Sequence, residues 1–335
     1  MVTTVLYPEA MYPDDTLERD IFGPDVQILR RDTRELSELS DADCAATDGL
    51  MIFRQRVTAT DMARFPRLRA IVRMGVGYDR LDRQEAARRG VMICNVPDYG
   101  TMEVADHAIA LMLALRKGVV LYHDTQRARP PAPWTYIESP LKRRLGVQTF
   151  GVLGLGRIGT AAALRARAFG MHILFFDPYL PNGVDRALGI ERAATLDDLL
   201  RRADVLSVHT PLTPLTSGML GMAQLSLLPQ DAVVINTARG PIIDIDALAT
   251  LLRAGRISGV GLDVIPVEPP VEPVPELLRA YRAREPWQEG RLVITPHAGF
   301  INPEAALDIR VKSAETMRAA LLGPAPQNVI RPEMF

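Results

Sequence analysis

Residues 148–179 read QTFGVLGLGRIGTAAALRARAFGMHILFFDPY, and they constrain the fold more than any other stretch. An apolar run, Phe150 to Leu153, leads into Gly154-x-Gly156-x-x-Gly159. A helical pattern follows from about Ile158 to Phe169, then a second apolar run, Ile173 to Phe176, ending in Asp177. Strand, glycine turn, helix, strand and acid in that order make the βαβ unit that binds a dinucleotide. Gly154 allows the tight turn, Gly156 lets the backbone approach a pyrophosphate, and Gly159 lets the helix lie close to the sheet. Arg157 and Ile158 open that helix, whose free N–H groups and positive dipole end suit phosphates. Asp177, 18 residues beyond Gly159, would accept hydrogen bonds from ribose hydroxyls. No Arg or Lys follows in Asp177-Pro178-Tyr179-Leu180, so a 2′-phosphate would meet only like charge. The pattern favours NAD over NADP.

With 335 residues the chain has the length of about two domains. Its net charge of −1 gives no attraction for nucleic acid or an anionic membrane surface. The two cysteines, Cys44 and Cys94, lack CxxC spacing and make no disulfide framework. They read as small buried apolar residues in a reducing cytoplasm. The start, MVTTVLYPEA, lacks the basic and apolar regions of a secretion signal. The longest apolar stretch, 108–120, is interrupted by Arg116 and Lys117, so no membrane span is expected.

Short apolar runs alternate with helical patterns through the first hundred residues, at 4–7, 26–29, 50–53, 70–74 and 91–94. That rhythm predicts a parallel α/β domain of about five strands. One long helix is predicted from about Met102 to His123, with Val104, Ala108, Leu111 and Leu115 along one face. A second α/β block begins near Val147, with strands at 150–153, 173–176, 205–208, 232–235, 259–262 and 292–294. A last helix is predicted over about 303–322.

Hydride transfer to or from a hydroxy acid needs an acid/base, a cation for the carboxylate, and a site that fixes both. Only five histidines are available. His297, in Thr295-Pro296-His297-Ala298-Gly299, falls just past a strand end, where α/β sheets place ligands. His107 and His123 fall in the long helix pattern and read as surface or core residues. His172 precedes a strand and reads as structural. His209, ending a strand in Val208-His209-Thr210-Pro211, suits cofactor contact and a structural role equally. Arg239, in Asn236-Thr237-Ala238-Arg239-Gly240, also follows a strand directly and is placed to grip a carboxylate with two parallel hydrogen bonds. Glu268 follows another strand; beside His297 it would favour the protonated imidazole and fix its tautomer. Taken singly, Arg239 and Glu268 read as well as ordinary surface charges.

Together these pieces resemble the D-isomer-specific 2-hydroxyacid dehydrogenases, an NAD-dependent family. The similarity runs from Arg73-Met74-Gly75-Val76-Gly77-Tyr78-Asp79 to the final helix, and GLGRIG, NTARGP, Asp263…Glu268 and TPHAG occur in the family's order. The resemblance implies that Arg239 binds and polarises a 2-oxo acid, that His297 is the proton donor and acceptor, and that Glu268 orients His297. It implies that the Gly75, Val76 and Gly77 backbone helps hold the substrate carboxylate. Asp263 would meet the nicotinamide carboxamide. His209, Thr210, Pro211, Thr237, Ala238, Val76 and Gly299 would line the cofactor. Arg73, Phe53 and Phe300 would face the substrate, with Ile52, Arg54 and Tyr99 nearby. The implied fold is two Rossmann-like, doubly wound parallel-sheet α/β domains with a cleft between them. Residues 1–101 and 299–335 would form a discontinuous, flavodoxin-like substrate domain, and 102–298 the NAD domain. A homodimer through the NAD domain is implied as well.

Asn95-Val96-Pro97-Asp98-Tyr99-Gly100 and Glu103-Val104-Ala105-Asp106 look most like the C-terminal-binding-protein branch, and Arg73 matches its extra arginine. Phe300 departs from the Trp often found there. That branch leaves an NAD-sensing corepressor as an alternative, and a phosphite-type dehydrogenase shares the framework. The stretch from Glu268 to His297 is longer than the family pattern, and its helical piece at 275–282 suggests a cover for the cleft or a brace for a hinge.

Overall fold

The computed structural model describes residues 2–333. The chain divides into two compact units, Met1–Gly100 with Ile301–Phe335, and Thr101–Phe300.

The first unit carries five parallel strands: β1 (Thr3–Tyr7), β2 (Val26–Arg30), β3 (Gly49–Ile52), β4 (Ala70–Arg73) and β5 (Met92–Asn95), in the order β2-β1-β3-β4-β5. Both faces of such a sheet are covered by crossover helices, which is why the strands read as short continuous apolar runs. Local polar residues start these helices. Ser40 Oγ accepts from Asp43 N–H, and Thr58 with Asp61 forms a capping box. The chain's last helix, Pro303–Leu322, is seeded by the Asn302 side chain and packs back on β3 and β4. At Gly49 an added Cβ would lie 2.6 Å from Met317 Sδ, so the helix packs closely over this strand. The tail beyond it shields the sheet edge, with Ile330 N–H donating to Ile93 O at 2.8 Å.

The second unit carries seven parallel strands: β6 (Thr149–Leu153), β7 (His172–Phe176), β8 (Glu191–Arg192), β9 (Val205–Val208), β10 (Ala232–Asn236), β11 (Ile257–Leu262) and β12 (Leu292–Ile294). Their order is β12-β11-β10-β9-β6-β7-β8. Winding reverses between β6 and β9, and ligands of open α/β sheets bind outside the strand C-termini at such a switch point.

One expectation changes and one is met. The long helix is two helices, Thr101–Arg116 and Val119–Arg127, broken where Gly118 adopts φ +66°. The extended stretch before His297 contains the helix Glu276–Arg282, whose Leu277, Leu278 and Ala280 are buried, the two leucines in the core with the helix Ile245–Arg253. Parallel neighbours need a crossover connection. Here the extra residues supply the one between β11 and β12. Among the described residues no helix is long and apolar enough to cross a membrane.

Candidate active site

The loops after β6, β9, β10, β11 and β12 all emerge at one end of the second sheet, and they carry the residues in question. After β6, each glycine of the turn has a distinct role. Gly154 has φ +90°, and an added Cβ would lie 2.8 Å from Thr210 N. At Gly159 an added Cβ would meet Gly154 O at 2.1 Å. At Gly156 it would meet nothing within 4 Å, so this face of the backbone is open to an approaching ligand. The 12-residue helix Arg157–Ala168 starts directly there. Asp177, at the end of β7, accepts Leu155 N–H on one oxygen and Tyr179 N–H on the other, both at 3.0 Å. A carboxylate has about four acceptor positions, so it retains capacity for hydroxyl donors.

After β9, His209 Nε2 lies 2.8 Å from the Oγ of fully buried Ser207, and burial pushes the imidazole down to about 4. It is neutral at physiological pH. After β10, the buried Asn236 side chain spans its own turn, donating to Arg239 O and accepting Ala238 N–H, each at 3.0 Å. Arg239 Nη1 donates to Ala238 O at 2.7 Å. The Oγ1 of Thr237 is buried with no hydrogen-bond partner among the described residues. An open glycine face, a helix N-terminus and an orphaned buried hydroxyl at the same end of the sheet fit a dinucleotide.

The acid/base pair is assembled by the loops after β11 and β12. His297 Nδ1 lies 2.6 Å from Glu268 Oε2, while Glu268 Oε1 accepts Ile265 N–H at 2.9 Å. Burial alone would raise the Glu268 carboxyl. The hydrogen bond and charge of His297, the Ile265 N–H and the charge of Arg239 outweigh it and hold the carboxyl below its ordinary range. A carboxylate on Nδ1 makes Nδ1 the donor and leaves Nε2 as the ring's working nitrogen. His297 itself adopts φ +54°, held by its N–H donating to Asp263 O at 2.7 Å. Phe300 stands edge-on to the ring, with centroids 6.2 Å apart. The loop with Arg239 and the segment before Glu268 touch through backbone, since a Cβ on Gly240 would lie 2.0 Å from Ile265 C.

Asp263, at the end of β11, holds the loop after β12. Its carboxylate accepts three donors of this unit: Thr295 Oγ1 at 2.6 Å, Ala298 N–H at 2.9 Å and Gly299 N–H at 3.0 Å. His107, read from sequence as a bland residue, joins this cluster with Nε2 2.8 Å from Thr295 Oγ1. Nothing in the local sequence marks it, because its partner lies 188 positions away.

In the first unit, Gly75 follows β4 with φ +149°, and the Arg73 guanidinium fills the place a Cβ would take. Gly75 N–H donates to Arg73 O at 2.8 Å. Arg54 and Arg73 both stand over the Phe53 ring, 5.3 and 5.8 Å from its centroid.

Residues 109–299 match the family model described as D-isomer specific 2-hydroxyacid dehydrogenase, NAD binding domain. A D-3-phosphoglycerate dehydrogenase of Methanocaldococcus jannaschii is 32% identical over 315 residues, covering 91% of this chain and 55% of that protein. The chain thus spans about half the length of the curated relatives it matches. Among solved structures, a glyoxylate reductase from Paecilomyes thermophila superposes with TM-score 0.85 at 25% identity, covering 100% of this chain and 99% of that one. A D-lactate dehydrogenase from Aquifex aeolicus, complexed with NAD and lactic acid, gives 0.80 at 26% identity with 95% of each chain covered. The branch within the family rests on the sequence resemblance alone.

Proposed function

Because the chain belongs to the D-isomer-specific 2-hydroxyacid dehydrogenase family, we propose that it catalyses reversible, NAD-dependent interconversion of a small 2-oxo acid and its D-2-hydroxy acid. The observation that carries this reading is the 2.6 Å contact between His297 Nδ1 and Glu268 Oε2, beside the turn that bears Arg239. The glycine turn and Asp177 would hold NADH, which would supply a hydride to C2 of the oxo acid. Arg239 grips the carboxylate and carbonyl and stabilises the developing alkoxide. His297 delivers a proton from Nε2 to that oxygen in reduction and removes it in oxidation. Glu268 holds the ring by Nδ1 and fixes its orientation.

The backbone of Gly75, Val76 and Gly77 takes the carboxylate-holding role in the first unit, where the Gly75 N–H also donates to Arg73 O. Arg54 and Arg73 beside Phe53 suit a second anionic group on the substrate, in keeping with the relatives named D-3-phosphoglycerate dehydrogenase. Asp177 supports NAD over NADP, because a 2′-phosphate would meet its carboxylate. A homodimer through the second unit would cover Trp134 and Tyr136, which are 94% and 74% exposed.

The test is oxidation of NADH, with NADPH alongside, against glyoxylate, hydroxypyruvate, pyruvate, phenylpyruvate, dicarboxylic 2-oxo acids and 3-phosphohydroxypyruvate. Turnover of one or more with NADH, lost in His297→Asn while NADH still binds, supports the proposal. Tight NADH binding with no turnover of any member sinks it and turns attention to an NAD-sensing role.

A further inference from the structure

The loop that carries His297 is anchored from behind by a chain of three side chains drawn from widely separated parts of the second unit. We infer that His107 is a positioning residue for His297, acting through Thr295 and Asp263. This deepens the proposed dehydrogenase reading and takes from it the role of His297.

The direction of the chain follows from counting hydrogens. Asp263 takes the hydrogen of Thr295 Oγ1 at 2.6 Å. A hydroxyl has one hydrogen, so towards His107 the same oxygen can only accept. His107 Nε2, 2.8 Å away, must then donate, which selects the tautomer protonated on Nε2. With the other tautomer, two lone pairs would face each other, and the Asp263 Oδ1, 3.6 Å from Nε2, would add to the repulsion. Asp263 passes the constraint to the backbone, accepting Ala298 N–H on Oδ1 and Gly299 N–H on Oδ2. Its own carbonyl accepts His297 N–H. Three successive backbone donors, 297 to 299, are therefore held by one residue.

The ring also acts by contact. A Cβ on Gly299 would lie 2.9 Å from His107 Cδ2 and 3.0 Å from Cγ, so the imidazole lies directly against the Gly299 backbone. The arrangement matters because His297 sits at φ +54°, a conformation uncommon for a non-glycine residue and kept only where its surroundings over-determine it. The helix Thr101–Arg116 supplies the fixed support for His107, with Ala105, Ala108 and Ile109 buried around it in sequence. Losing the anchor lets the loop relax, and a displacement of about 1 Å at a reacting group can cost on the order of 100-fold in rate.

The experiment compares full-length wild type with His107→Leu, His107→Gln and, as a helix control, His123→Leu. Hydrogen exchange of the Ala298 and Gly299 amides, measured without cofactor, should accelerate at least about 10-fold in His107→Leu. It should stay near wild type in His107→Gln, whose amide nitrogen reaches Thr295, and in the control. Nitrogen-15 NMR of the imidazoles should show a proton on Nε2 of His107. Kinetically, kcat should fall roughly 10- to 100-fold in His107→Leu with NADH affinity within about 3-fold, and His107→Gln should recover most of it. Unchanged exchange in His107→Leu, the opposite tautomer, or a glutamine variant as impaired as the leucine variant would overturn the inference. Exchange and tautomer do not depend on turnover, so they decide it even if no 2-oxo acid is reduced.

Discussion

A guanidinium at position 239 presents two parallel N–H groups to a carboxylate, whereas an ammonium offers a point charge on a flexible stem. Arg239→Lys should therefore lower kcat/KM by about 100-fold or more while leaving NADH affinity nearly intact. Steady-state kinetics with titration of NADH fluorescence checks both, and near-normal turnover would remove Arg239 from its assigned role. Glu268 makes a prediction about pH. Its carboxyl is held below the ordinary glutamate value of 4.5, so the group releases its proton more readily folded than unfolded. Its contribution to stability is then complete above that value and is lost as pH falls through the lowered folded value. The difference in unfolding free energy between wild type and Glu268→Gln should shrink across this acid window. A difference that is flat with pH would show that the pairing with His297 does not stabilise the carboxylate. The glycine turn and His297 could be picked out from sequence because each falls in a short stretch whose chemistry is local, whereas Arg239 and Glu268 read singly as surface charges and stood out only through the order of motifs they share with the family. The cluster of His107, Thr295 and Asp263 could not, since it exists only once a helix and two strand ends come together.

At the scale of elements, the predicted strands match because parallel sheets bury short apolar runs on both faces. The strand β8 escaped notice because its two residues, Glu191 and Arg192, carry no such signal. The predicted helix 102–123 failed at one residue, Gly118, where a left-handed conformation ends one helix and begins another. Arg116, two residues earlier, looks in sequence like a polar interruption of an apolar stretch. In the fold it is 1% exposed, and its guanidinium donates to Asp204 O, Asp231 O and Ser258 Oγ at 2.6, 3.0 and 3.3 Å. It thus ties the helix Thr101–Arg116 to the N-terminal ends of β9, β10 and β11. Burial pushes its pKa down to about 10, still charged at neutral pH. Arg116→Leu keeps the apolar stem but removes three hydrogen bonds from a charged donor, each contributing about 1.5–3 kcal/mol, while Asp204 O keeps Val233 N–H and Asp231 O keeps the Ser258 hydroxyl as donors. A loss of about 3 kcal/mol or more is expected in urea unfolding, and a change within about 0.5 kcal/mol would show that water replaces the guanidinium without penalty.

The two units differ in how the chain builds them, and that difference can be tested on the whole molecule. Residues 101–300 are continuous, with strands, crossovers and acid/base pair all inside one stretch. The other unit is closed only by residues from the far end of the sequence. Ile309, Ala314, Met317 and Leu321 of the last helix are buried, and Gly49 is shaped to receive Met317. Arg310 on that helix holds buried Glu18 through two hydrogen bonds, at 2.6 and 2.7 Å. Fully burying one large aliphatic side chain contributes about 1.5–3 kcal/mol, and a whole domain is stable by only about 5–15 kcal/mol. Removing three large buried side chains with the ion pair therefore consumes most or all of that margin. Residues 1–100 expressed alone should show no cooperative melting transition. Fusing residues 301–335 to that fragment through a flexible glycine-serine linker should restore one. Residues 101–300 expressed alone should melt cooperatively, and NADH should raise the transition in proportion to the logarithm of its concentration, as a ligand selective for the folded state must. A cooperative transition in 1–100 alone would mean that the last helix decorates that sheet and does not complete its core.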